Sequence, residues 1–191
     1  MRRQLLPALR TLLVLTVLCG LAYPLAVTGV AQLAWEDRAD GSLARDAGGD
    51  VVGSSLLAQG FVGDEWFQPR PSAAGDGWDG AASSASNLGP SAPDLLATVE
   101  ERAVAYREAN GLPADAHVPV DAVTASGSGL DPAISVANAR LQAPRVAAAR
   151  DLALDVVLAA VDANTKGRTA AILGETAVDV LALNLDLERL T

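Results

Sequence analysis

Charge of either sign is missing from residues 11 to 35, and acidic residues are missing before Glu36. Three reactive residue types are nearly missing altogether: Cys19, His117 and Lys166 each stand alone in 191 residues. Each scarcity excludes something. A single thiol inside an apolar run forms no intrachain disulfide and leaves the polar part of the chain without a cysteine-metal site. Leu18 before it is bulky where a lipoprotein signal needs a small residue, which argues against lipidation. A single imidazole makes His117 the only base open to a serine triad and leaves no histidine pair for a metal. The lone lysine lies far from any Gly-x-x-x-x-Gly-Lys-Ser/Thr pattern, which argues against autonomous nucleotide hydrolysis. Aromatics are 4% of the chain against 50% hydrophobic residues, so the core is predicted to consist of Ala, Val and Leu rather than rings.

What is there divides sharply by charge. Arg2, Arg3 and Arg10 are the only charged side chains before Glu36, whereas residues 36–191 carry 11 basic and 23 acidic residues, a net charge of −12. An acidic body of this kind repels phosphate backbones, so nucleic-acid binding is not expected. The uncharged run from Thr11 to Trp35 would make a helix of about 37 Å, against a bilayer hydrocarbon core of about 30 Å. Its apolar core is longer than that of a cleavable signal and no clear Ala-x-Ala site ends it, which favours a retained anchor. Pro24 predicts a kink, and Trp35 falls where an interfacial aromatic is expected. Gly20, Ala22, Ala26, Gly29 and Ala31 would let a partner helix approach closely. With arginines before the segment and Glu36-Asp37 after it, the positive-inside rule predicts a cytoplasmic N-terminus (1–10), a transmembrane helix (11–35), a polar Gly-rich linker (36–50) and an extracytoplasmic domain (51–191) in a cell membrane.

The outer segment reads as a mixed α/β domain, so the fold class is α+β. Val51–Gln59 is expected to be a strand paired with Phe61–Phe67. Residues 72–93 are rich in Gly, Ala, Ser and Pro and read as a long loop, a feature that is often functional. A helix is predicted from a Ser91 cap to about Asn110, ending at Gly111, with Leu95, Val99 and Tyr106 inward and Arg102 and Arg107 solvated. Ser135 is expected to cap a short helix ending before Pro144, with a second helix starting there. The alternation of Leu181, Leu183, Leu185 and Leu187 with Ala182, Asn184 and Asp186 predicts a terminal strand over Ala177–Leu187.

Motifs for chemistry are thin. Ser126-Gly127-Ser128-Gly129 does not meet the Gly-x-Ser-x-Gly elbow, so a serine hydrolase would depend on His117 alone; a glycine-dependent tight turn or a partner-contact loop fits better. Asp131, just before Pro132, most simply caps a turn, with a potassium ligand as the weaker alternative. Arg70, held between Pro69 and Pro71, calls for a carboxylate inside the domain or at a subunit contact. Arg145, read as standing at a helix start, opposes the macrodipole and calls for a specific partner.

A set of ordered segments carries more weight than any one motif. They are Tyr23-Pro24-Leu25-Ala26-Val27-Thr28-Gly29 with Gln32; Gly53-Ser54 with Gln59; Phe67 with Pro69-Arg70-Pro71-Ser72-Ala73; and Ser86-Asn87-Leu88-Gly89-Pro90. Val123-Thr124-Ala125-Ser126-Gly127-Ser128-Gly129-Leu130-Asp131-Pro132 with Ile134-Ser135, Gln142 with Pro144-Arg145-Val146, and the tail Leu173-Gly174-Glu175 followed by Val180-Leu181 and Leu183-Asn184-Leu185 complete the set. In this order behind a single anchor they resemble the C-subunit family of the Kdp-type potassium-transporting P-type ATPases, along almost the whole chain. The family tends to have His at the positions of Gln68 and Ala133 and Pro-Arg in place of Thr176-Ala177. The resemblance implies a complex with a channel-like potassium-binding subunit, a P-type ATPase catalytic subunit and a small single-helix subunit. In it, this chain is a non-catalytic accessory subunit that stabilises the assembly and caps the extracellular mouth of the channel-like subunit. The Asp-Lys-Thr-Gly-Thr phosphorylation motif is absent here, in keeping with that role. The family is also credited with assisting ATP binding, yet an outer domain stands on the wrong side of the membrane to touch ATP. No cofactor is therefore expected on this chain, and ATP only through the complex. The expected contact residues are Asn87, Gly89 and Pro90, the turn Ser126, Gly127, Ser128, Gly129 and Asp131, and the two arginines Arg70 and Arg145. A membrane-anchored extracellular serine hydrolase and a stand-alone binding module are the alternatives.

Overall fold

The computed structural model describes residues 2–190, in two compact units that divide after Leu43. The first unit is a helical rod. Helix α1 (Arg2–Val17) continues through one π-helical turn (Leu18–Ala22) into α2 (Tyr23–Ala34). From Arg3 to Ala34 the rod is long and apolar enough to cross a membrane, with a mean hydropathy of 2.1 in its most apolar stretch and none of that stretch buried. The π turn lies directly before Pro24, where the sequence suggests a kink. Proline has no N–H to give the preceding turn, and the Tyr23 N–H reaches back to the Leu18 carbonyl, so the loop widens by one residue just before the ring. The rod ends at Trp35, whose φ of −148° leaves the helical region, and a single turn, α3 (Glu36–Ala39), follows within the segment read as linker.

The second unit opens with a two-stranded ribbon of β1 (Leu43–Arg45) and β2 (Val51–Ser54). Strand β2 therefore pairs with β1, not with Phe61–Phe67 as the sequence suggests. The 61–67 backbone is claimed by side chains instead: Arg145 takes the Asp64 and Trp66 carbonyls, Arg150 the Glu65 carbonyl, and Asn184 both polar groups of Phe67. Residues 72–92 form a long irregular stretch, one residue shorter than the loop expected over 72–93. Helix α4 (Pro93–Ala109) starts later than predicted, because Ala92 occupies the cap position without a capping side chain and Pro93 sets the first helical turn. It ends at Asn110, with Gly111 at φ +61°. Arg102 and Arg107, expected in solvent, are half-buried and donate to the Val123 and Ala116 carbonyls.

After the short α5 (Val120–Val123) come β3 (Ala133–Ser135), α6 (Val136–Ala149), α7 (Leu154–Ala163), β4 (Thr165–Lys166), β5 (Ala177–Asp179) and α8 (Val180–Glu188). The sheet is antiparallel in the order β3-β5-β4, with Val178 opposite both Ile134 and Thr165. Ser135 caps α6 as predicted, accepting from the Asn138 N–H at 3.1 Å, but Pro144 lies inside this one helix and starts no second one. The break comes at Asp151, at φ +53°, before α7. The terminal strand stops at Asp179, whose carboxylate caps α8 through the Ala182 N–H at 3.0 Å. Val180, Leu183, Asn184 and Leu187 then form a buried helical face. The core is aliphatic, as the composition implies. Ala139, Ala143, Val146, Val157, Val161, Val178 and Leu183 pack around Phe67, the one ring at its centre.

Candidate partner-binding face

The segment from Phe67 to Ser72 is the strap from which the candidate face is built. Pro69 and Pro71 keep it extended, so its backbone polar groups point alternately to opposite sides and need partners beside them. Two buried side-chain amides supply these. Asn184 on α8 accepts from the Phe67 N–H at 2.9 Å and donates to the Phe67 carbonyl at 3.0 Å. Gln142 on α6 does the same for Gln68, at 2.7 and 3.1 Å. The strap thus pairs on both sides as a strand would, with amide side chains in place of neighbouring strands.

Beyond Gln68 the strap meets the turn at 126–131. Arg70 Nη1 lies 3.1 Å from Asp131 Oδ2, and Arg70 Nη2 donates to the Ala125 carbonyl at 3.3 Å. The other Asp131 oxygen accepts from the Ala133 N–H at 3.1 Å, so this carboxylate caps its turn and pairs with Arg70 together. Ser72 Oγ donates to the Gly129 carbonyl at 2.7 Å and accepts from the Trp78 N–H at 2.8 Å. The Ser128 carbonyl accepts from the Ser84 N–H and from Ser83 Oγ. Two stretches of the long loop are therefore fastened to the turn. Gly129 has φ +69°, and a Cβ there would lie 2.6 Å from the Ser84 carbonyl oxygen and 2.8 Å from the Ala74 nitrogen, so glycine is required. Gly127 is exposed and has open space around it. Ser126 is buried and its hydroxyl faces that of Ser128 at 3.3 Å. Among the described residues neither serine bonds to His117, so the geometry assembles no triad. Asn87, Gly89 and Pro90 are exposed, Asn87 at φ +53°, and none of them has a side-chain bond to the turn.

Arg145 belongs to a different cluster. It projects from the middle of α6, where the expected conflict with a helix N-terminus does not arise. Its guanidinium donates to Asn110 Oδ1 (3.0 Å), the Asp64 and Trp66 carbonyls (2.6 and 3.1 Å) and Gln142 Oε1 (3.0 Å). Burial pushes its pKa down, opposed by the carboxylate of Asp64. Beside it runs a shallow groove of about 370 Å³ lined by Phe61, Gln68, Tyr106 and Asn110. The Tyr106 hydroxyl donates to Asn138 Oδ1 at 2.8 Å, and its pKa is raised by burial first and by the Asp121 carboxylate second. Asp121 in turn accepts from the Ser135 N–H, the Ser135 hydroxyl and Asn138 Nδ2. These groups saturate one another, and the cluster is a clamp holding α4, α5, α6 and the strap together. Reasoning from sequence assigned no role to Gln142, Asn184, Ser72 or Asp121. Gln142, Asn184 and Ser72 do lie inside the segments that carry the family resemblance, which was the available signal.

Residues 5–189 match the family described as "K+-transporting ATPase, c chain". A potassium-transporting ATPase KdpC subunit of Mycobacterium tuberculosis is 60% identical over 190 residues, covering 100% of both chains. The KdpC subunit of Caulobacter vibrioides is 53% identical, covering 98% of this chain and 94% of its own. That of Myxococcus xanthus is 54% identical, covering 96% and 87%.

Proposed function

The chain belongs to the C-subunit family of the potassium-transporting ATPase, and from that premise we propose that it acts as the accessory subunit that braces the potassium-uptake complex from the extracytoplasmic side. The observation carrying this reading is charge asymmetry about the apolar rod: Arg2, Arg3 and Arg10 on one side, a body of net charge −12 on the other. On this reading residues 1–10 are cytoplasmic, 11–35 span the membrane, 36–50 lead out and 51–191 form the outer domain. The outer domain caps the extracellular mouth of a channel-like potassium-binding subunit, alongside the catalytic P-type ATPase subunit and the small single-helix subunit. The turn at 126–131, with Gly127 and Ser128 outward, supplies part of the contact, together with Asn87 to Pro90. Arg70 and Arg145 act within the domain, holding the strap that positions that turn. ATP binds and is hydrolysed on the catalytic subunit; this chain influences it only through the assembled complex.

The test has two arms. A C-terminal alkaline phosphatase fusion is expected to be active and a C-terminal green fluorescent protein fusion dark, the pattern of an outer C-terminus; the reverse would sink the topology. Deleting the chain is expected to cost assembly and potassium-stimulated ATPase activity of the purified complex. Normal values for both would remove the accessory role.

A further inference from the structure

Asparagine stands before glycine once in this chain, at Asn110-Gly111, where α4 ends; Asn87, Asn138, Asn164 and Asn184 are followed by Leu, Ala, Thr and Leu. Such a pair has a reactivity of its own. When solvent base takes the Gly111 N–H proton, the nitrogen attacks Asn110 Cγ. The bond from Cγ to Nδ2 breaks, ammonia leaves, and a five-membered succinimide remains. Water then opens the ring at one carbonyl or the other, giving aspartate or isoaspartate. A side chain on the following residue crowds the attack, and glycine has none.

The structure holds each reacting atom off this path. Gly111 is exposed, so water and hydroxide reach it, but its N–H is donated to the Glu108 carbonyl at 3.2 Å. Asn110 has ψ 10°, which nearly eclipses the Gly111 nitrogen with the Asn110 nitrogen and turns it a third of a circle from Cβ. Ring closure needs that nitrogen and Cβ on the same side. The amide is pinned as well: Nδ2 donates to the Tyr106 carbonyl at 2.8 Å, and Oδ1 accepts from Arg145 Nε at 3.0 Å. Arg145 is fixed in turn by the Asp64 and Trp66 carbonyls and by Gln142.

We infer that Asn110 is the spontaneous deamidation site of this chain and that the Arg145 clamp guards it. Attack requires the last turn of α4 to open and the amide to leave Arg145, so the rate follows a local opening equilibrium, not exposure. The product then weakens its own guard. A carboxylate only accepts hydrogen bonds, so it faces the Tyr106 carbonyl with no proton to give, and it puts negative charge at a helix C-terminus. Isoaspartate also adds one carbon to the main chain, at the turn where the Leu112 N–H reaches the Arg107 carbonyl at 2.9 Å. One such event loosens α4 from the 64–66 backbone that Arg145 ties to it.

The full chain in mild detergent, incubated at mildly alkaline pH and then digested, tests this. Mass spectrometry locates the exchange of amide for acid, and isoaspartate methyltransferase labelling reports the isomer. In urea Asn110 is expected to be modified first, and in the folded chain its modification is expected to be at least roughly tenfold slower. Arg145→Lys keeps the charge but cannot serve Asn110 and both carbonyls together; it is expected to speed the folded reaction by roughly tenfold. Val157→Ala weakens the buried core away from the clamp and is expected to leave the rate near native while the chain stays folded. Gly111→Ala is expected to suppress the product. Modification at Asn87 ahead of Asn110 in urea would overturn the site. A folded wild-type chain reacting at the unfolded rate, or Arg145→Lys reacting no faster than Val157→Ala, would overturn the guard. The wild-type comparison uses no variant and decides the guard even where Arg145→Lys does not fold.

Discussion

Replacing Asn184 with Leu isolates what the amide clip contributes. The side chain is fully buried, and its two hydrogen bonds are the ones the Phe67 backbone makes. Leucine is close in volume, so the change leaves little cavity, but it strands a buried N–H and a buried carbonyl. Each orphaned group costs about 1–3 kcal/mol. Burying leucine in place of an amide returns about 1–2 kcal/mol, so the ranges span a net loss of about 0–5 kcal/mol and their midpoints leave about 2.5 kcal/mol. For a domain of this size the midpoint lowers the melting temperature by roughly 5–10 °C. Trp66, next to Phe67 in the chain and stacked on Phe61 at 5.6 Å, reports the unfolding by fluorescence in a denaturant titration of the full chain in mild detergent. Asn184→Asp adds a signature in pH. The new carboxylate still accepts from the Phe67 N–H but faces the Phe67 carbonyl, so burial and repulsion raise its folded pKa above its unfolded value. The variant is then close to native in stability below the ordinary aspartate pKa and loses stability as pH rises through it. A loss under about 1 kcal/mol for Asn184→Leu, within the range of ordinary surface substitutions, would refute the idea that this amide stands in for a neighbouring strand.

Other outcomes follow from the same contacts. Gly129→Val places its Cβ against the Ser84 and Ala74 backbone at a positive φ; it is expected to destabilise the domain by more than about 2 kcal/mol, whereas Gly127→Val leaves melting unchanged and lowers only the yield of complex. Comparing melting with co-purification separates the two roles. Arg70→Lys cannot serve Asp131 and the Ala125 carbonyl together; it is expected to lower the stability read from a denaturant titration by about 1–2 kcal/mol. Asp131→Asn keeps the turn cap and loses only a half-exposed ion pair, for about 0–1 kcal/mol. The Tyr106 hydroxyl, raised by burial and by Asp121, is expected to resist ionisation in a spectrophotometric titration beyond the ordinary tyrosine range. With the folded pKa above the unfolded one, its stabilising share is present below about pH 10 and is lost as pH climbs through the folded value. Tyr106→Phe is therefore expected to flatten the alkaline loss of stability.

The long apolar N-terminal helix was the easiest part to foresee, because an uncharged run of that length has few alternatives to a continuous helix. The aliphatic core and the turn at Asp131 also followed from composition and from the residue before a proline. At Ala177–Leu187 the leucines alternate, and Asn184 looks like an outward polar residue of a strand. It is in fact an inward residue of α8, and once it is counted as core, the positions 180, 183, 184 and 187 show helical spacing. At Phe61–Phe67 the apolar residues suggest a strand, but the hydrogen bonds a strand would need come from Arg145, Arg150 and Asn184, far along the chain. Pro144 misled because proline usually marks a first turn, whereas here it is carried inside a helix that a cap at Ser135 had already started.

Side-chain pairing of the strap also bears on how the candidate contact face is set. Arg70 and Ser72 fix the turn at 126–131 by three named bonds, to Asp131, Ala125 and Gly129. Both residues are only a few positions along the same extended segment from Phe67 and Gln68, which Asn184 and Gln142 hold. An extended segment braced by prolines transmits position with little slack, so loosening it at Phe67 loosens the turn as well. Hydrogen exchange tests this coupling directly. In Asn184→Leu, amides at Gly129 and Leu130, bonded to Ser126 and Ser128, are expected to exchange faster by about the factor that corresponds to the lost stability, tenfold for each 1.4 kcal/mol. Exchange of those amides at the native rate, in a variant whose core is measurably weakened, would mean that the turn is held by Ala58 and the loop at 83–84 and that the strap plays no part in presenting it.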